Sequence, residues 1–435
     1  MMKYRFPLTQ HLGAPCQPTV NEGDQVKRGQ SIGQPNGLGA KIHTSVPGLV
    51  LEISDSSIII EANNNDYKDY EKIGKGQSIA DMAFDAGIVG AGGAGFPAHI
   101  KLKTNIPDGY VIANCLECEP ILEHNIRLIE ENPEIIIKGL KYAMESTNAP
   151  KGIIAIKAKN KKAIDSLNKS LEGERNIEIK AMKDLYPMGE ERAIVHEIFD
   201  IWLNPNQLPA DAKCVVFNAE TLANLTRAIE DLKPVIDKDI TVAGKLKNGG
   251  NVKSFLQVPI GTSISSLIDK CGGIDGQFGE VVIGGPYTGK AGNIEDSVVT
   301  KISGGVIVTI PLPEYDGNLG LLVCACGADE ERLRDIAGKM KSKVAAVTKC
   351  KNIEEARGAN KCLTPGECPG QVQAVMELKK NGAERVLIAN CSDCTNTVMA
   401  SAPDLGIPVY HHTDHILRTV DHELSRRLPM EKIKE

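Results

Sequence analysis

The sequence predicts a multidomain α/β protein, and three observations support this prediction. A chain of 435 residues is too long for one hydrophobic core and suggests three to four domains. Two stretches, 1–65 and 236–310, have short apolar runs separated by turn residues, which is typical of β-structure. Between them, and again after about residue 318, apolar strand-like runs alternate with helical patterns. We therefore predict four domains, at 1–70, 71–235, 236–315 and 316–435.

The composition restricts the kinds of partner. The net charge is -6 and aromatic residues make up only 4% of the chain, so neither a basic face nor a stacking platform for nucleic acid is expected. No apolar run approaches the ~18 residues that span a bilayer, and the N-terminus lacks a charged and then apolar leader. We therefore expect a soluble, cytoplasmic protein without a transmembrane segment. The 12 cysteines, several in close pairs, then indicate redox or metal chemistry rather than structural disulfides.

The N-terminal β-stretch is predicted to be a structural module. Residues 20–30 and 43–50 both place short apolar pieces between turn residues. This pattern resembles the small barrel-sandwich of biotinyl and lipoyl domains. A carrier lysine would lie at an exposed hairpin tip, and the apolar neighbours of Lys41 do not have that character. We therefore expect no covalent cofactor on Lys41.

A glycine-rich stretch is the feature around which the second domain is organised. Its residues bury almost nothing, but they allow tight turns and offer bare N–H groups to a ligand that comes close. Lys101, placed where a following helix or turn would begin, adds a positive charge. A phosphate-bearing, flat cofactor fits this combination, although a loop without a ligand would have the same composition. The residues of this cradle are Gly90, Gly92, Gly93, Ala94, Gly95, Phe96 and Lys101.

Polar residues follow the predicted buried strands of the second domain. The strand at 109–114 leads into 115–120, which holds two glutamates and two cysteines, and the strand at 214–217 leads into 218–224. A further strand is predicted at 153–156. Because ligands bind at the carboxyl ends of strands in open α/β sheets, we expect both polar loops in the binding site.

Four segments together resemble the flavin- and NADH-binding subunits of respiratory NADH dehydrogenase and the C subunit of the Rnf complex. They are the glycine loop at 90–97 with its lysine, Asn-Cys-Leu-Glu-Cys-Glu-Pro at 114–120, Tyr-Pro-Met-Gly-Glu-Glu at 186–191, and Asn-Ala-Glu-Thr-Leu-Ala at 218–223. Their order and spacing fit that family. An N-terminal barrel-sandwich and a β-grasp-like SLBB domain after residue 236 suit the Rnf type. The resemblance covers about residues 1–315.

The resemblance implies that the chain binds FMN and oxidises NADH in the α/β domain. In the family, the glycine loop and its lysine hold the FMN phosphate, the acidic loop faces flavin and NADH, and the fourth segment lines the FMN. Two departures, Ala91 in place of a frequent arginine and Ala98 in place of a threonine, imply a weaker affinity for the flavin. Besides the cradle, the residues assigned by position are Asn114, Glu117, Glu119, Tyr186, Gly189, Glu190, Glu191, Asn218 and Thr221.

The C-terminal domain is rich in cysteine. Each of its three predicted strands, at 319–323, 344–347 and 385–389, ends near a cysteine. Rnf-type subunits continue instead into paired ferredoxin motifs, and no C-x₂-C-x₂-C-x₃-C-P run occurs here. The whole arrangement is similar to the PrdC-type electron-transfer proteins that accompany proline reductase in amino-acid-fermenting anaerobes. The tail alone resembles an iron–sulfur region of heterodisulfide reductase flavoproteins.

Two chemistries remain open for the tail cysteines. Cys391 and Cys394 form a C-x-x-C at a predicted strand-to-helix turn, where a helix N-terminus lowers the pKa of the first thiol and a redox disulfide is favoured. An exit for electrons at Cys324 and Cys326 is the alternative. Spacing alone does not show whether four ligands converge on a cluster or form redox dithiols. The set to which this applies is Cys324, Cys326, Cys362 and Cys368.

The other candidate residues are expected to have structural roles. His411, His412 and His415 lack an acidic partner at helical spacing, so we predict a solvated face rather than a metal site. Cys118 belongs to the acidic-loop pattern, and no metal is expected between it and Cys115. Trp202 is predicted to be a packing residue, and the plain core or surface positions are Cys16, Cys214 and Cys271.

These features predict a soluble electron-transfer flavoprotein that oxidises NADH through FMN. Electrons would leave through the C-terminal cysteines to a partner reductase, for which the resemblance favours proline reductase. Two alternatives belong to other classes. One is a non-catalytic assembly subunit that kept the fold but lost FMN, with which Ala91 and Ala98 are consistent. The other is a metal or iron–sulfur carrier that uses the cysteine-rich tail.

Overall fold

A computed structural model describes residues 2–63, 68–248 and 252–425, so parts of the first, third and fourth predicted domains lie outside it. The described strands form six sheets, and no sheet draws strands from two of the predicted domains. The multidomain α/β class is confirmed, while the domain boundaries stay a prediction. No helix within the described ranges is long and apolar enough to cross a membrane.

Two small antiparallel sheets form the N-terminal sandwich. In the strand Ser57–Ala62 every second side chain is buried, so one face of the strand lies in the core. Lys41 is held by Asp85, with 2.7 Å between ammonium and carboxylate. The first sheet has the order Lys3–Pro7, Ser57–Ala62, Gly48–Ile53 and Gln25–Val26, and the second has the order Gln17–Pro18, Ser31–Gln34 and Ile42–His43.

A four-stranded parallel sheet is the centre of the second unit. Alternate residues of its strand Tyr110–Cys115 face two separate apolar clusters, with Val111 in one and Ile112 in the other, because both faces of the sheet are covered. The sheet order is Ile177–Met182, Lys151–Lys157, Tyr110–Cys115 and Cys214–Asn218. The helices are Ile79–Asp85, Ala98–Leu102, His124–Glu131, Pro133–Thr147, Lys161–Ser170, Glu191–Phe199 and Ala219–Glu230, with a 3₁₀ turn at Pro209–Ala212.

A five-stranded mixed sheet with one helix forms the third unit. The helix Ile264–Lys270 begins after Ser263, whose side chain accepts a hydrogen bond from the backbone N–H of Ser266. Arg28 of the N-terminal sandwich donates to the Asp237 carboxylate of this sheet at 2.7 Å. The strands, in sheet order, are Val252–Pro259, Asp237–Gly244, Gly305–Val308, Val281–Ile283 and Lys290–Gly292.

The tail is a second parallel α/β unit. Cysteines follow three of its strands at one edge of the sheet, because parallel strands share a carboxyl edge: Cys324, Cys350 and Cys391. The sheet order is Lys343–Lys349, Asn318–Val323, Arg385–Ile388 and Val409–His411. The helices are Glu330–Lys339, Val372–Lys380, Ser392–Ser401 and Asp414–Thr419, and a hairpin pairs Ile353–Ala356 with Ala359–Cys362.

The three C-terminal histidines are buried, so the predicted solvated face at His411, His412 and His415 is wrong. Each is at most 2% exposed. His415 Nε2 lies 2.9 Å from the Glu280 carboxylate, which also accepts hydrogen bonds from Arg332 and Lys339. Burial lowers the pKa of His415 in spite of this carboxylate. We call Glu280, Arg332, Lys339 and His415 the Glu280 cluster; it fastens the tail to the third unit.

Candidate functional site

The glycine loop is a tight hairpin whose tip is exposed. Val89 pairs with Pro97, and the Gly90 N–H donates to the Phe96 carbonyl at 2.9 Å. Residues 91–94 form the turn, and Gly92 and Gly93 at its tip are exposed. A Cβ added at Gly93 would meet no atom within 4 Å. The tip therefore offers backbone N–H groups beside open space, as a cofactor cradle requires.

The loop is fastened to the start of a helix at the sheet edge. Thr221 Oγ1 accepts a hydrogen bond from the Ala91 N–H at 3.0 Å and donates to the Val89 carbonyl at 3.2 Å. Asn218, which ends a strand, caps the helix Ala219–Glu230 by accepting from the Glu220 N–H. A Cβ at Gly92 would lie 2.6 Å from the Asn218 side chain. Glycine is needed at position 92 because of this close approach.

We expect Thr221→Val to weaken FMN binding about tenfold, a change of about 1.4 kcal/mol. The buried Ala91 N–H loses its acceptor, and the loop loses both hydrogen bonds that hold its shape. Titration of the apoprotein with FMN, followed by flavin fluorescence, measures the change. Thr221→Ser keeps the hydroxyl and should bind like the parent; equal weakening by Ser and Val would show that the methyl group, not the hydroxyl, matters.

Two further predicted segments meet at the same sheet edge. Asn114 lies opposite Asn218 in the strand register, and its side-chain amide donates to the Gly189 carbonyl at 2.9 Å. Glu190 caps the helix Glu191–Phe199 by accepting from the N–H groups of Arg192 and Ala193. The structure therefore brings together the glycine loop and the segments at 114–120, 186–191 and 218–223, which are remote in sequence.

Lys101 lies differently from the prediction. It is in the last turn of the short helix Ala98–Leu102, not at a helix start. Its ammonium pairs with Glu191 and donates to the Val216 carbonyl at 3.0 Å. Lys101 is therefore near the assembled segments, but part of its charge is already neutralised by Glu191. A phosphate role for it stays a prediction.

The two glutamates of the acidic loop have different surroundings. Both oxygens of Glu119 already accept hydrogen bonds, from the N–H groups of Tyr287 and Thr288 and from the Thr288 hydroxyl. Glu117 accepts from the Asn125 amide at 2.7 Å, and burial raises its pKa to about 7. Both line a cavity of about 1040 Å³. Glu119 is occupied in holding the third unit, and a role in NADH binding stays a prediction for both glutamates.

The seven tail cysteines lie close together. Cys326 exchanges thiol hydrogen bonds with Cys324, Cys362 and Cys391. Cys394 exchanges them with Cys391 and two others, Cys350 and Cys368. These thiol contacts, reinforced by backbone N–H groups at the start of the helix Ser392–Ser401, hold the pKa of Cys391 well below its usual range. The sequence predicted the contribution of the helix but not the larger one of the neighbouring thiols.

The predicted four-cysteine ligand set is split between two groups. Cys362 and Cys324 border Cys326, whereas Cys368 borders Cys394. Among the residues that the structure describes, no group of three or more His, Cys, Asp or Glu side chains is arranged to hold a metal ion. The iron–sulfur alternative at Cys324, Cys326, Cys362 and Cys368 stays a prediction.

A pair of stacked tyrosines joins the four segments that resemble a flavin site, which we call the flavin segments, to the tail thiols. The rings of Tyr186 and Tyr287 are 3.6 Å apart and almost parallel, and the Tyr186 hydroxyl donates to the Cys326 carbonyl. Cys391 and Cys394 pack in the same buried cluster, with Cys118 against it. Tyr287 is not among the residues predicted from the sequence. Its only sequence cue is the Gly-Gly-Pro turn before it.

The loop at 363–371, which follows the tail hairpin and which we call the tail loop, also approaches the helix Glu191–Phe199. His196, on the helix Glu191–Phe199, stacks on Trp202 with 3.7 Å between ring centroids. Its Nε2 lies 3.8 Å from the carboxylate of Glu367, the residue before Cys368. Trp202 is a packing residue, as predicted.

Comparison with known proteins identifies the family. Residues 2–67 match the RnfC barrel sandwich hybrid domain, and residues 83–227 match the Nuo51 FMN-binding domain. The chain is 33% identical over 323 residues to the C subunit of the Na⁺-translocating ferredoxin:NAD⁺ oxidoreductase complex of Acetobacterium woodii, covering 69% of this chain and 72% of that one. The chain belongs to the RnfC family. The resemblance predicted from the four segments is confirmed, whereas the particular closeness to PrdC-type proteins stays a prediction.

Other relatives of this RnfC-family chain extend the comparison. The C subunit of the proton-translocating ferredoxin:NAD⁺ oxidoreductase complex of Clostridium ljungdahlii is 31% identical, with 70% of each chain covered. Cobalamin reductase PduS of Citrobacter freundii is 36% identical over 238 residues, covering 53% of this chain and 50% of that one. Among solved structures, an NAD⁺-reducing [NiFe]-hydrogenase aligns with a TM-score of 0.46 at 22% identity, over 53% of this chain and 46% of that one.

The comparisons confirm the class of chemistry. The matched domain agrees with the predicted FMN cofactor, and its range includes the glycine loop, the acidic loop and Asn218. The relatives are oxidoreductase components, as predicted for this chain. The exposed glycines, the open space at Gly93 and the capped helix behind them fit a bound flavin phosphate. The roles of individual residues remain predictions.

Proposed function

We propose that this RnfC-family protein oxidises NADH through FMN and passes the electrons through its tail thiols to a partner reductase. One observation supports the proposal above others: Tyr186, which belongs to a flavin segment, donates directly to the Cys326 carbonyl of the tail. The flavin segments and the thiols therefore adjoin each other. FMN, when bound, accepts the hydride of NADH and can release electrons singly or in pairs.

The residues of the site have separable tasks in this proposal. Thr221 holds the glycine loop in shape and Asn218 caps the helix behind it, so that the backbone N–H groups of the loop would be available to a flavin phosphate. Glu117 accepts hydrogen bonds from the ribose hydroxyls of NADH, most strongly above pH 7, where it is ionised. Glu119 holds the Tyr287 loop and thereby keeps the tyrosine pair between flavin segments and thiols.

The acceptor is proposed from the arrangement of the whole chain. A dithiol that gains two electrons matches hydride donation and suits a reductase with a thiol or selenol at its active site. The resemblance to PrdC-type proteins favours proline reductase as that partner. Relatives named as ferredoxin:NAD⁺ oxidoreductase subunits and as a cobalamin reductase are consistent with other acceptors.

An absorption spectrum of protein purified without oxygen tests the proposal. We expect flavin bands near ~450 nm that bleach when NADH is added. Protein that lacks these bands and binds no added FMN would instead be the assembly subunit that lost its cofactor. A broad cluster shoulder without flavin would indicate the iron–sulfur carrier.

Replacing both Cys391 and Cys394 with serine should leave the bleaching by NADH intact and abolish electron delivery. The flavin segments keep their contacts, but the central thiols of the tail are lost. Stopped-flow bleaching and an assay of partner reduction measure the two steps separately. The double variant Cys16→Ser with Cys271→Ser removes two buried thiols elsewhere and should behave like the parent. Delivery at the parent rate by the first variant would place the exit at Cys324 and Cys326.

A further inference from the structure

Three tail thiols form a row that leads from the surface to the interior. Cys394, 3% exposed, exchanges hydrogen bonds with Cys368 on one side and Cys350 on the other. Cys368 is partly exposed, whereas Cys350 is 3% exposed. The row therefore has an outer, a middle and an inner thiol. No motif in the sequence connects them, because they come from the loop after the hairpin, a helix and the end of a strand.

One buried amide reaches all three sulfur atoms. Gln371 is 1% exposed, and its Nε2 lies 3.1 Å from Cys350 Sγ, 3.6 Å from Cys394 Sγ and 3.9 Å from Cys368 Sγ. An N–H donor stabilises negative charge on whichever sulfur carries it. This placement suits a reaction in which the charge moves from one sulfur to the next.

The outer thiol is held in place by its own loop. The Gly370 N–H donates to Cys368 Sγ at 3.2 Å, and the hydroxyl of Thr397 lies 3.0 Å from the same sulfur. The Cys368 N–H donates to Asp393 at 2.7 Å, which ties the loop to the helix that carries Cys394. Cys368, a partly exposed residue, is therefore fixed beside the middle thiol.

We propose that Cys368 is the thiol that contacts the acceptor, and that the acceptor reacts as a disulfide. The inference rests on the proposed function, for which it names the outer residue and the class of acceptor bond. The Cys368 thiolate attacks one sulfur of the acceptor disulfide, forms a mixed disulfide and releases one acceptor thiolate. Cys394 then attacks the Cys368 sulfur and releases the second acceptor thiolate.

A last exchange returns Cys368 to its reduced form. Cys350 attacks the sulfur of Cys394, which leaves a Cys350–Cys394 disulfide and a free Cys368 thiol. In total, two protein thiols give two electrons and two protons, and one acceptor disulfide becomes two thiols. The new protein disulfide is the species that the flavin would reduce again. Gln371 is a positioning residue in this scheme, because it acts through the sulfur atoms.

Chemically reduced protein, without NADH, tests the exchange by itself. The probe is 4,4′-dithiodipyridine at less than one equivalent, and disulfides are located by peptide mass spectrometry. In the parent we expect a disulfide that joins Cys394 to Cys368 or Cys350, with two thiopyridone molecules released per disulfide formed. In Cys394→Ser the mixed disulfide should stay on Cys368, and Cys368→Ser should lower the rate of the first exchange at least tenfold.

Two outcomes would overturn the proposal. One is a mixed disulfide on the partly exposed Cys326 or Cys118 in the Cys394→Ser protein. The other is a Cys368→Ser protein in which the first exchange proceeds at the parent rate. Failure of the proposed function would be seen differently, as a flavin that NADH does not bleach while the thiol exchange proceeds.

The amide is tested with a matched pair of variants. Gln371→Met removes the N–H donor at similar size, whereas Gln373→Met makes the same change at an exposed position in the first turn of the helix that Gln371 precedes. Loss of the donor destabilises the thiolate, so the exchange should slow about tenfold and the midpoint potential should fall by about 30 mV, the equivalent of tenfold in the equilibrium constant. Equal potentials in Gln371→Met and the parent would remove Gln371 from the scheme.

Discussion

Gly93→Val should abolish FMN binding and leave the protein folded, with the dissociation constant for FMN raised at least 100-fold, about 2.7 kcal/mol. Valine at the exposed tip would occupy the space into which the flavin phosphate must come. Within residues 90–95 only Gly95 has a positive φ, 71°. The expected loss is therefore one of space, not of backbone strain.

Gly74→Val is the matched control for this loss. Gly74 is exposed, has no atom within 4 Å of an added Cβ, and lies outside the loop. Fluorescence titration with FMN and circular dichroism of both variants measure binding and folding. Flavin retained by Gly93→Val at the parent affinity would move the cofactor site away from this loop.

Glu280→Gln should lower the stability of the tail by about 3 kcal/mol, within the range for breaking a buried ion pair. The amide keeps the size of the side chain but leaves the buried Arg332 and the partly exposed Lys339 without their shared carboxylate. Arg332 and Lys339 still pair with Asp335 in the variant, so the loss of stability should lie near the lower end of the range for a buried ion pair. In calorimetry, the first unfolding transition should fall by roughly 6–12 °C.

The effect of Glu280→Gln depends on pH in a defined direction. Hydrogen bonds from His415 and Arg332, together with the Arg332 charge, outweigh burial and hold the pKa of Glu280 well below its ordinary value of 4.5. A depressed carboxyl pKa contributes stability that is present above about pH 4.5 and is lost as pH falls further. The difference between parent and variant should therefore be constant near pH 7 and shrink in acid.

Glu314→Gln provides the comparison for the Glu280 variant. Glu314 pairs with Lys341, but both side chains are about two-thirds exposed. Such surface pairs contribute little, so the transition should move by no more than about 2 °C. An equally small change in Glu280→Gln would mean that the Glu280 cluster does not hold the tail in place.

Local patterns were sufficient to predict the sheets and their polar ends. The strand predicted at 109–114 is observed at Tyr110–Cys115, and that at 214–217 is observed at Cys214–Asn218. Their apolar runs are buried on both faces, and this property is visible in sequence. Because the strands are parallel, the residues after them had to meet at one edge. The loops that follow these two strands could therefore be placed together from the sequence, whereas the segment at 186–191 was predicted only through the family resemblance.

Contacts between distant segments could not be predicted in this way. His415 has an acidic partner, Glu280, 135 residues away, which no spacing rule for one helix can show. Glu119 is occupied by the N–H groups of residues 168 and 169 positions further on. The partition of the tail thiols and the place of Gln371 likewise depend on how a loop, a strand and two helices pack together.

The stacking of Trp202 on His196 gives the protein an optical reporter of its own. It is the one tryptophan in the chain, so its emission comes from a single place. That place adjoins both the helix that begins with Glu191 and, through His196, the Glu367 side chain next to Cys368. A change in the docking of the tail loop therefore alters the quenching of this indole. Rearrangement at the thiols can be followed by fluorescence without attaching a label.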